Sequence, residues 1–264
     1  MFPYKGDYIE AAIEQERVLV VRIVWAGNPL NNLSDALLEE TELVLNNATN
    51  DDRLHAVVLT GCGPVFSTGA YLPELIEQDS VGAHSLSKKG IRVWGMFESI
   101  PLVTVAAING ICLGGGLELA LCCDFRIASK RARFGQTEVN LGLIPGWGGT
   151  QRLTRLVGRP TALDLVLTGR QFRAKEALEM GLVHKAVAHS DLLEETFAFL
   201  APIVAKDPDV IALAKKALQM PLERGLCAGL EAEASFFAES WSLPASKKKV
   251  HSFLDDQAAK KKEG

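Results

Sequence analysis

The sequence predicts an α/β fold followed by a helical C-terminal region. Five short runs of apolar and β-branched residues are typical of buried strands, and they lie at 18–24, 56–59, 103–108, 125–129 and 182–187. Helical patterns separate the first four runs, which is the order expected for a sheet covered by helices. After residue 148, helical patterns follow one another, and only 182–187 interrupts them.

The helices of the first half follow from local signals. Ser34 is a suitable N-cap for a helix whose apolar positions continue to Leu45. Pro101 ends a later helical pattern, because the residue before a proline avoids the helical conformation. Besides the helix that Ser34 caps, this half is predicted to contain helices over 72–78, 85–99 and 117–123.

The second half is predicted to be almost entirely helical. Its helices are expected over 150–157, 160–168, 174–180, 192–205, 209–219 and 222–240, with a tail helix from 247. We therefore expect an α/β core over residues 1–190 and a helical region over 191–264, with no flexible linker between them. Helices that cannot bury all their apolar faces alone are expected to dock on the core or on another subunit.

Composition excludes several classes of protein. The chain has 264 residues, of which 48% are hydrophobic and 23% charged, as in an average soluble globular protein. A net charge of −4 argues against a dedicated nucleic-acid-binding protein. The most apolar window, 101–123, contains Asn109, several glycines and Glu118, so we expect no membrane span.

Cysteine usage and the N-terminus indicate a cytoplasmic protein. The five cysteines are odd in number, form no CxxC pair and lack nearby histidines, which argues against a disulfide framework or a zinc site. They are Cys62, Cys112, Cys122, Cys123 and Cys227. The first ten residues lack the apolar segment of a secretory signal.

The first candidate site is a glycine triplet at 114–116, followed by Glu118. Glycines between a strand and a helix allow a ligand to approach the free N–H groups of the helix N-terminus. The dinucleotide motif fails because Leu119 occupies a glycine position, and the P-loop fails because Gly116 occupies the lysine position. The triplet could serve packing alone. A carboxylate among Leu, Ala and Cys residues, however, needs a partner or a function.

The second candidate is Glu138, at the end of the segment Phe-Gly-Gln-Thr-Glu that starts at Phe134. A helix and a strand lie between Glu118 and Glu138, so both carboxylates are expected at the same end of the sheet. Two carboxyl groups that face one cleft can hold different protonation states and act as an acid and a base. The alternative is an exposed acid at a helix cap.

The third candidate is the loop 66–70, which follows a buried strand. It could be an ordinary connection. As a functional element, it would bring the N–H of Ala70 towards that of Gly115, so that both donate to one carbonyl oxygen. Two such donors stabilise an enolate-like oxyanion.

Five stretches together resemble the crotonase (enoyl-CoA hydratase/isomerase) superfamily, across essentially residues 10–255. The matching stretches are NPLNNLS (28–34), VVLTGCGPVFSTGAYL (57–72), PLVTVAAINGICLGGGLELALCCDFRIAS (101–129), FGQTEVNLGLIPGWGGTQRL (134–153) and VGRPTALDLVLTGRQFRAKEALEMGLV (157–183). The resemblance implies a spiral of ββα units with a helical trimerisation region. It also implies assembly as trimers or dimers of trimers, with the acyl-CoA site near subunit contacts.

The resemblance assigns roles to the candidate residues. It places Ala70 and Gly115 in the oxyanion hole and identifies Glu118 and Glu138 as the two catalytic glutamates. Members with both glutamates resemble hydratases, which add water to the 2-trans double bond of an acyl-CoA during fatty-acid or aromatic-acid breakdown. No metal or redox cofactor is expected, since coenzyme A is part of the substrate. Further substrate-binding candidates are Ser67, Gly69, Tyr71, Leu72, Gly114, Pro145 and Trp147.

The sequence departs from the superfamily pattern at several positions. Tyr71 replaces an acid, Pro73 a basic residue and Thr137 a proline, so that Tyr71 is expected to reshape the acyl pocket. The lysine-rich tail lacks the usual Glu-Gly before Phe253, which affects the expected contacts of the tail with coenzyme A.

Other activities of the superfamily remain as alternatives. An enoyl-CoA isomerase usually keeps only one of the two glutamates, and a hydratase of cyclic or aromatic-pathway enoyl-CoA would keep both. A remote alternative is an RNA-binding homologue, which would use Lys88, Lys89 and the lysines at 247–249; the acidic net charge disfavours it.

Overall fold

A computed structural model describes residues 1–15, 17–224 and 226–263. The side chains of 220–227 and 256–263 lie outside this description, and with them the prediction made for Cys227. The chain divides into two compact units, Met1–Pro202 and Ile203–Gly264. The predicted assignment of residues 191–264 to an oligomerisation region stays a prediction.

The first unit contains a seven-stranded sheet. Its strands are Tyr4–Lys5 (β1), Ile9–Glu14 (β2), Val18–Ile23 (β3), Ala56–Gly61 (β4), Val103–Ile108 (β6), Phe125–Ser129 (β8) and Lys185–Val187 (β11). Their spatial order is β1-β2-β3-β4-β6-β8-β11. The first three strands pair antiparallel and the others parallel. All residues of β6 are buried, as expected for a central strand of a covered parallel sheet.

A smaller sheet of four strands lies in the same unit. It consists of Val65–Ser67 (β5), Ile111–Leu113 (β7), Arg133–Gly135 (β9) and Phe172–Arg173 (β10), in the order β10-β9-β7-β5. Each of β5, β7 and β9 follows a strand of the large sheet and precedes a helical segment. This repeat is the ββα spiral that the sequence resemblance implies, so the predicted fold class is confirmed. Strands of two or three residues are too short for apolar periodicity to reveal them.

The helices have the following bounds. They are Asp35–Thr49 (α1), Leu72–Leu75 (α2), Ser80–Ser99 (α3), Gly115–Leu121 (α4), Gly149–Val157 (α5), Arg159–Thr168 (α6), Ala174–Glu179 (α7), Leu192–Val204 (α8), Pro208–Arg224 (α9), Leu226–Ser242 (α10) and Pro244–Glu263 (α11). Two 3₁₀ turns cover Glu138–Leu141 and His189–Asp191.

Local capping explains where two of these helices begin. Ser34 is the N-cap of α1, as predicted, and its Oγ accepts the Leu37 N–H at 3.1 Å. The α3 helix starts at Ser80, before the predicted residue 85, because the Asp79 carboxylate caps it by accepting the Gly82 N–H at 2.8 Å. The predicted helix over 72–78 is shorter, ending at Leu75.

A hydrophobic core in the first unit surrounds α4. Trp94, Phe97, Phe66 and Phe134 are its largest fully buried side chains. All seven residues of α4 are buried, including Glu118. A helix buried on every side has little freedom to move, so the groups at its N-terminus hold a fixed position relative to the sheets.

The second unit is helical. Within it, α9 packs along α10, and α11 contacts α10. Several large apolar side chains of this unit are exposed in the single chain, namely Leu218, Leu230, Phe237, Trp241, Val250, Phe253 and Leu254. None of the described helices combines the length and the apolar character that a membrane crossing requires.

Replacing Leu45 tests the packing of α1. Leu45 is fully buried whereas Leu43, on the same helix, is 48% exposed. We expect Leu45→Ala to lower the free energy of unfolding by about 2–5 kcal/mol, because it leaves a cavity in the core. The exposed control Leu43→Ala should change it by less than about 1 kcal/mol. Urea unfolding of both variants at one protein concentration measures this, and equal losses would contradict the packing described.

Candidate active site

The two predicted catalytic glutamates line one cavity of about 530 Å³. The walls come from the loop after β5, from α2, α3 and the start of α4, and from the segment 137–147. Most of the lining is apolar. Of the predicted site residues, the cavity is lined by Ala70, Tyr71, Leu72, Gly114, Gly115, Glu118, Glu138 and Trp147.

Three predicted binding residues do not line this cavity within the described part of the chain. All three, Ser67, Gly69 and Pro145, are buried outside the cavity lining. Ser67 has a structural contact instead, since its Oγ accepts the Gly69 N–H at 3.1 Å. A substrate-binding role for Ser67, Gly69 and Pro145 stays a prediction.

Backbone pairing fixes the loop that carries Ala70. The Leu33 N–H donates to the Gly69 carbonyl at 2.9 Å, and the Tyr71 N–H donates to the Leu33 carbonyl at 3.0 Å. Gly69 has a φ of +93°, and a Cβ added there would lie 2.8 Å from the Gly115 nitrogen. Only glycine therefore allows this loop to approach the start of α4 so closely.

The amides of Ala70 and Gly115 border the same space. Gly115 is the first residue of α4, so its N–H has no acceptor in its own helix. A Cβ added to Gly115 would lie 3.4 Å from the Ala70 nitrogen and 2.6 Å from the Trp147 ring. In the described part of the chain, no hydrogen bond from either amide is found. Two free donors beside a helix N-terminus form a suitable site for an oxyanion.

Glu118 is a buried carboxylate held by two backbone amides. Its side chain is 2% exposed, and its Oε1 accepts the Trp147 and Gly149 N–H groups, both at 2.8 Å. Burial, with a further contribution from the charge of Glu138, raises the pKa of Glu118 to about 7; the two amides and the Arg152 cation oppose this rise. This carboxyl group can therefore gain or lose a proton near neutral pH.

Glu138 is the first residue of the turn Glu138–Leu141, and its carboxylate lies next to Gly114. Its Oε1 accepts the Gln136 side-chain amide at 2.8 Å, and burial raises its pKa against the effect of its own backbone N–H and of Gln136. Its Oε2 is buried without a hydrogen-bond partner among the described residues. Such an oxygen is suited to carry a proton or to bind a ligand.

Aromatic side chains form part of the wall. Trp147 packs edge-on against Trp94 at 6.1 Å between ring centroids. Tyr71 packs against Trp25 at 4.8 Å, and Trp25 against Tyr8 at 5.1 Å. Tyr71, which replaces the acid common in the superfamily, thus belongs to the cavity wall. It packs against the Trp25 ring, which in turn packs against Tyr8.

Sequence reasoning did not assign roles to several residues that build this site. The motif around Phe134 gives Gln136 no role of its own, and nothing in the sequence identifies the Trp147 and Gly149 amides as donors. Backbone donors carry no side-chain signature. The one available signal was the Pro-Gly-Trp-Gly-Gly turn that precedes α5.

The described residues contain no group of three or more His, Cys, Asp or Glu side chains placed to hold a metal ion. That turnover requires no cofactor besides the coenzyme A of the substrate stays a prediction.

Comparison with known proteins places the chain in a family. The sequence profile of the enoyl-CoA hydratase/isomerase family matches residues 14–263. A short-chain-enoyl-CoA hydratase of Clostridium acetobutylicum is 36% identical over 92% of this chain and 94% of its own. A crotonyl-CoA hydratase of Syntrophomonas wolfei is 35% identical over 96% of this chain and 97% of its own.

Solved structures agree with this result. The crystal structure of an enoyl-CoA hydratase from Bacillus anthracis has a TM-score of 0.89 and 34% identity, covering 94% of this chain and 96% of that protein. The fold and the cavity define a crotonase-type protein. The chain belongs to the enoyl-CoA hydratase/isomerase family.

Burial of Glu118 should reduce the stability of the protein at high pH. Its pKa rises from 4.5 to about 7 on folding, so the folded state binds more protons than the unfolded state between these values, and stability falls as the pH rises. We expect Glu118→Gln to raise the free energy of unfolding by about 1–3 kcal/mol at about pH 8, and by much less at about pH 4.5.

Urea unfolding at the two pH values measures this gain. Glu77→Gln, at an exposed position, is the matched control and should change stability equally little at both. A Glu118→Gln protein that is no more stable than the wild type at the higher pH would contradict the burial of a charge at this position.

Proposed function

We propose that this protein is an enoyl-CoA hydratase, which adds water across the 2-trans double bond of an acyl-CoA thioester. The observation that carries the proposal is the combination in one cavity of two carboxyl groups in different environments and two free backbone amides. Relatives about one third identical over nearly the whole chain bear names of the same activity.

The two amides would hold the thioester carbonyl. In this proposal the carbonyl oxygen accepts hydrogen bonds from the Ala70 and Gly115 N–H groups, which lie at the end of a buried helix. Withdrawal of electrons towards that oxygen makes C3 of the conjugated alkene electrophilic. The donors are fixed before the substrate arrives, so little reorganisation is needed as negative charge develops.

The two glutamates would move the protons. Glu118 orients the water and takes a proton from it while the water oxygen bonds to C3. Glu138 donates a proton to C2, and the product is a 3-hydroxyacyl-CoA. The raised pKa values of both groups suit this exchange near neutral pH. The proton taken by one carboxyl can be returned by the other, and water addition involves no net oxidation, so no metal or redox cofactor is required.

The acyl chain would lie against the apolar wall. Beyond the two glutamates the cavity is lined by leucine and isoleucine side chains of α2, of α3 and of the segment after Glu138, namely Leu72, Leu75, Leu86, Leu141, Leu143 and Ile144. Such a wall suits an apolar acyl group better than a charged one. Tyr71, Gly114 and Trp147 are proposed to contact the substrate at the reacting end.

We also propose that the protein assembles as a trimer or a dimer of trimers in the cytoplasm. The exposed apolar side chains of the second unit, such as Phe237 and Trp241, support burial against another copy. Cys112 and Cys122 form no disulfide, which supports a reducing compartment. Sedimentation equilibrium of the full chain should give three or six times the chain mass of 28.6 kDa, and a monomer would contradict the assembly.

Replacing Glu138 tests the proposed reaction. We expect Glu138→Gln to lower kcat for hydration of crotonyl-CoA by about 100- to 10,000-fold, because the shape is kept and the proton donor is lost. KM should stay within about threefold of the wild type. The exposed control Glu77→Gln should keep the wild-type rate.

Loss of the conjugated-thioester absorbance measures hydration directly. Short, long, cyclic and aromatic 2-enoyl-CoA substrates should be compared with the wild type, since the preferred acyl group is part of the question. A wild-type protein that hydrates none of them would refute the proposed function. A Glu138→Gln protein that retains the full rate would refute only the role of Glu138.

A further inference from the structure

We propose that Arg152 is a positioning residue for Glu118: paired with Glu98, it fixes the turn 147–149 whose amides hold the Glu118 carboxylate. This inference rests on the proposed function, in which Glu118 activates water. Arg152 and Glu98 are not among the residues that line the cavity in the described part of the chain, so the proposed action is indirect.

The contacts of Arg152 place it between α3 and the turn. Its Nη1 donates to the Trp147 carbonyl at 3.0 Å. Its Nε and Nη2 donate to the two carboxylate oxygens of Glu98, at 2.7 Å and 2.6 Å. A two-point guanidinium–carboxylate pair fixes the orientation of the guanidinium plane as well as its position.

The Trp147 carbonyl, which Arg152 binds, lies at the centre of the turn. It belongs to the peptide between Trp147 and Gly148, and the peptides on either side of it supply the two N–H groups that bind Glu118. A rotation of this middle peptide would therefore move both donors. Holding its oxygen holds both hydrogen bonds to Glu118.

Gly148 shows how closely the guanidinium fits the turn. Gly148 has a φ of +107°, and a Cβ added there would lie 2.0 Å from Arg152 Nη1. The backbone conformation thus favours glycine here, and any side chain at this position would displace the guanidinium. A second contact from α3 holds the start of the same segment, since Ser87 Oγ donates to the Gly146 carbonyl at 2.5 Å.

The same arginine acts on Glu118 through its charge. Four groups face Glu118 or its neighbourhood: Glu138 from the turn Glu138–Leu141, Arg152 from α5, its partner Glu98 from α3, and Cys122 at the end of α4. Arg152 lowers the pKa of Glu118, against burial and Glu138. Burial raises the pKa of the Cys122 thiol and keeps it neutral. The Arg152 side chain is only 18% exposed, so water screens it weakly.

Removing Arg152 and removing the Glu98 charge should therefore shift the pKa of Glu118 in opposite directions. Without Arg152, the Glu98 charge is left uncompensated and Glu118 becomes harder to ionise. Without the Glu98 charge, Arg152 is uncompensated and Glu118 becomes easier to ionise. A pair that served only to join α3 to α5 would give no such difference in sign.

The experiment compares the pH profiles of kcat for the wild type, Arg152→Gln, Glu98→Gln and the double variant. The acid limb of each profile is the part in which kcat rises with pH as Glu118 loses its proton. We expect this limb to shift to higher pH by about one unit in Arg152→Gln and to lower pH in Glu98→Gln. The double variant should return towards the wild type. KM should stay within about threefold throughout, because neither residue lines the cavity.

Arg152→Lys separates charge from geometry. Lysine keeps the charge but cannot hold both Glu98 oxygens and the Trp147 carbonyl in one plane. We expect its acid limb to stay in place while kcat at the plateau falls about tenfold or more. The pair formed by Arg92 and Glu42 on α3 and α1 supplies matched controls. Arg92→Gln and Glu42→Gln should leave both limb and plateau unchanged.

A second measurement needs no substrate. Urea unfolding gives the difference in stability between each variant and its Glu118→Gln derivative. The pH dependence of that difference reports the ionisation of Glu118. The same opposite shifts are expected there, even if the chain hydrates no enoyl-CoA. Shifts of the same sign in Arg152→Gln and Glu98→Gln, or none in either, would overturn the positioning role. If Arg152→Gln does not fold, a Glu98→Gln protein without the downward shift overturns it.

Discussion

A carboxylate buried in a fully buried helix is the constraint on which the site depends. Glu118 lies in α4, where every residue is buried, and an isolated charge there would be strongly disfavoured. The chain meets this demand with donors from elsewhere, the Trp147 and Gly149 amides. The conformation of the turn before α5, and the guanidinium packed against it, follow from that demand. Burying Glu118 lowers the stability of the fold, and it also raises the pKa of the carboxyl group so that it titrates near neutral pH.

Helical geometry fixes the second relation in the site. Gly115 and Glu118 are three positions apart on α4, which places them on the same side of the helix, one turn from each other. The distance between one oxyanion donor and the proposed base is therefore set by a rigid element. Gly69 brings the other donor, on Ala70, to the same helix end. Glu138 comes from the turn after β9, and β9 pairs with β7, the strand that precedes α4. Its position relative to Glu118 therefore depends on strand pairing within the small sheet.

The sequence predicted those features that arise from local patterns. The strands of the large sheet from β3 onward, the Ser34 cap and the glycine turn were all accessible, and Glu118 was found because a charge in an apolar run needs an explanation. The small sheet was not predicted, since its strands have two or three residues. Arg152 was missed for another reason. Its partner Glu98 is 54 residues away along the chain, and no periodicity links an arginine to such a partner.

Water addition needs one carboxyl group charged and the other protonated at the same time. Two carboxyl groups that share a buried cavity disfavour the state in which both are ionised, so the pair tends to retain one proton between them. The location of that proton then decides whether the site is ready. Burial favours the proton on Glu118, and the two backbone amides and the Arg152 cation oppose this by favouring the charged form. Oε2 of Glu138 is buried without a partner among the described residues, so it can carry a proton or bind a ligand. The groups behind Glu118 thus help to select the productive arrangement of a single proton, although they do not line the acyl cavity.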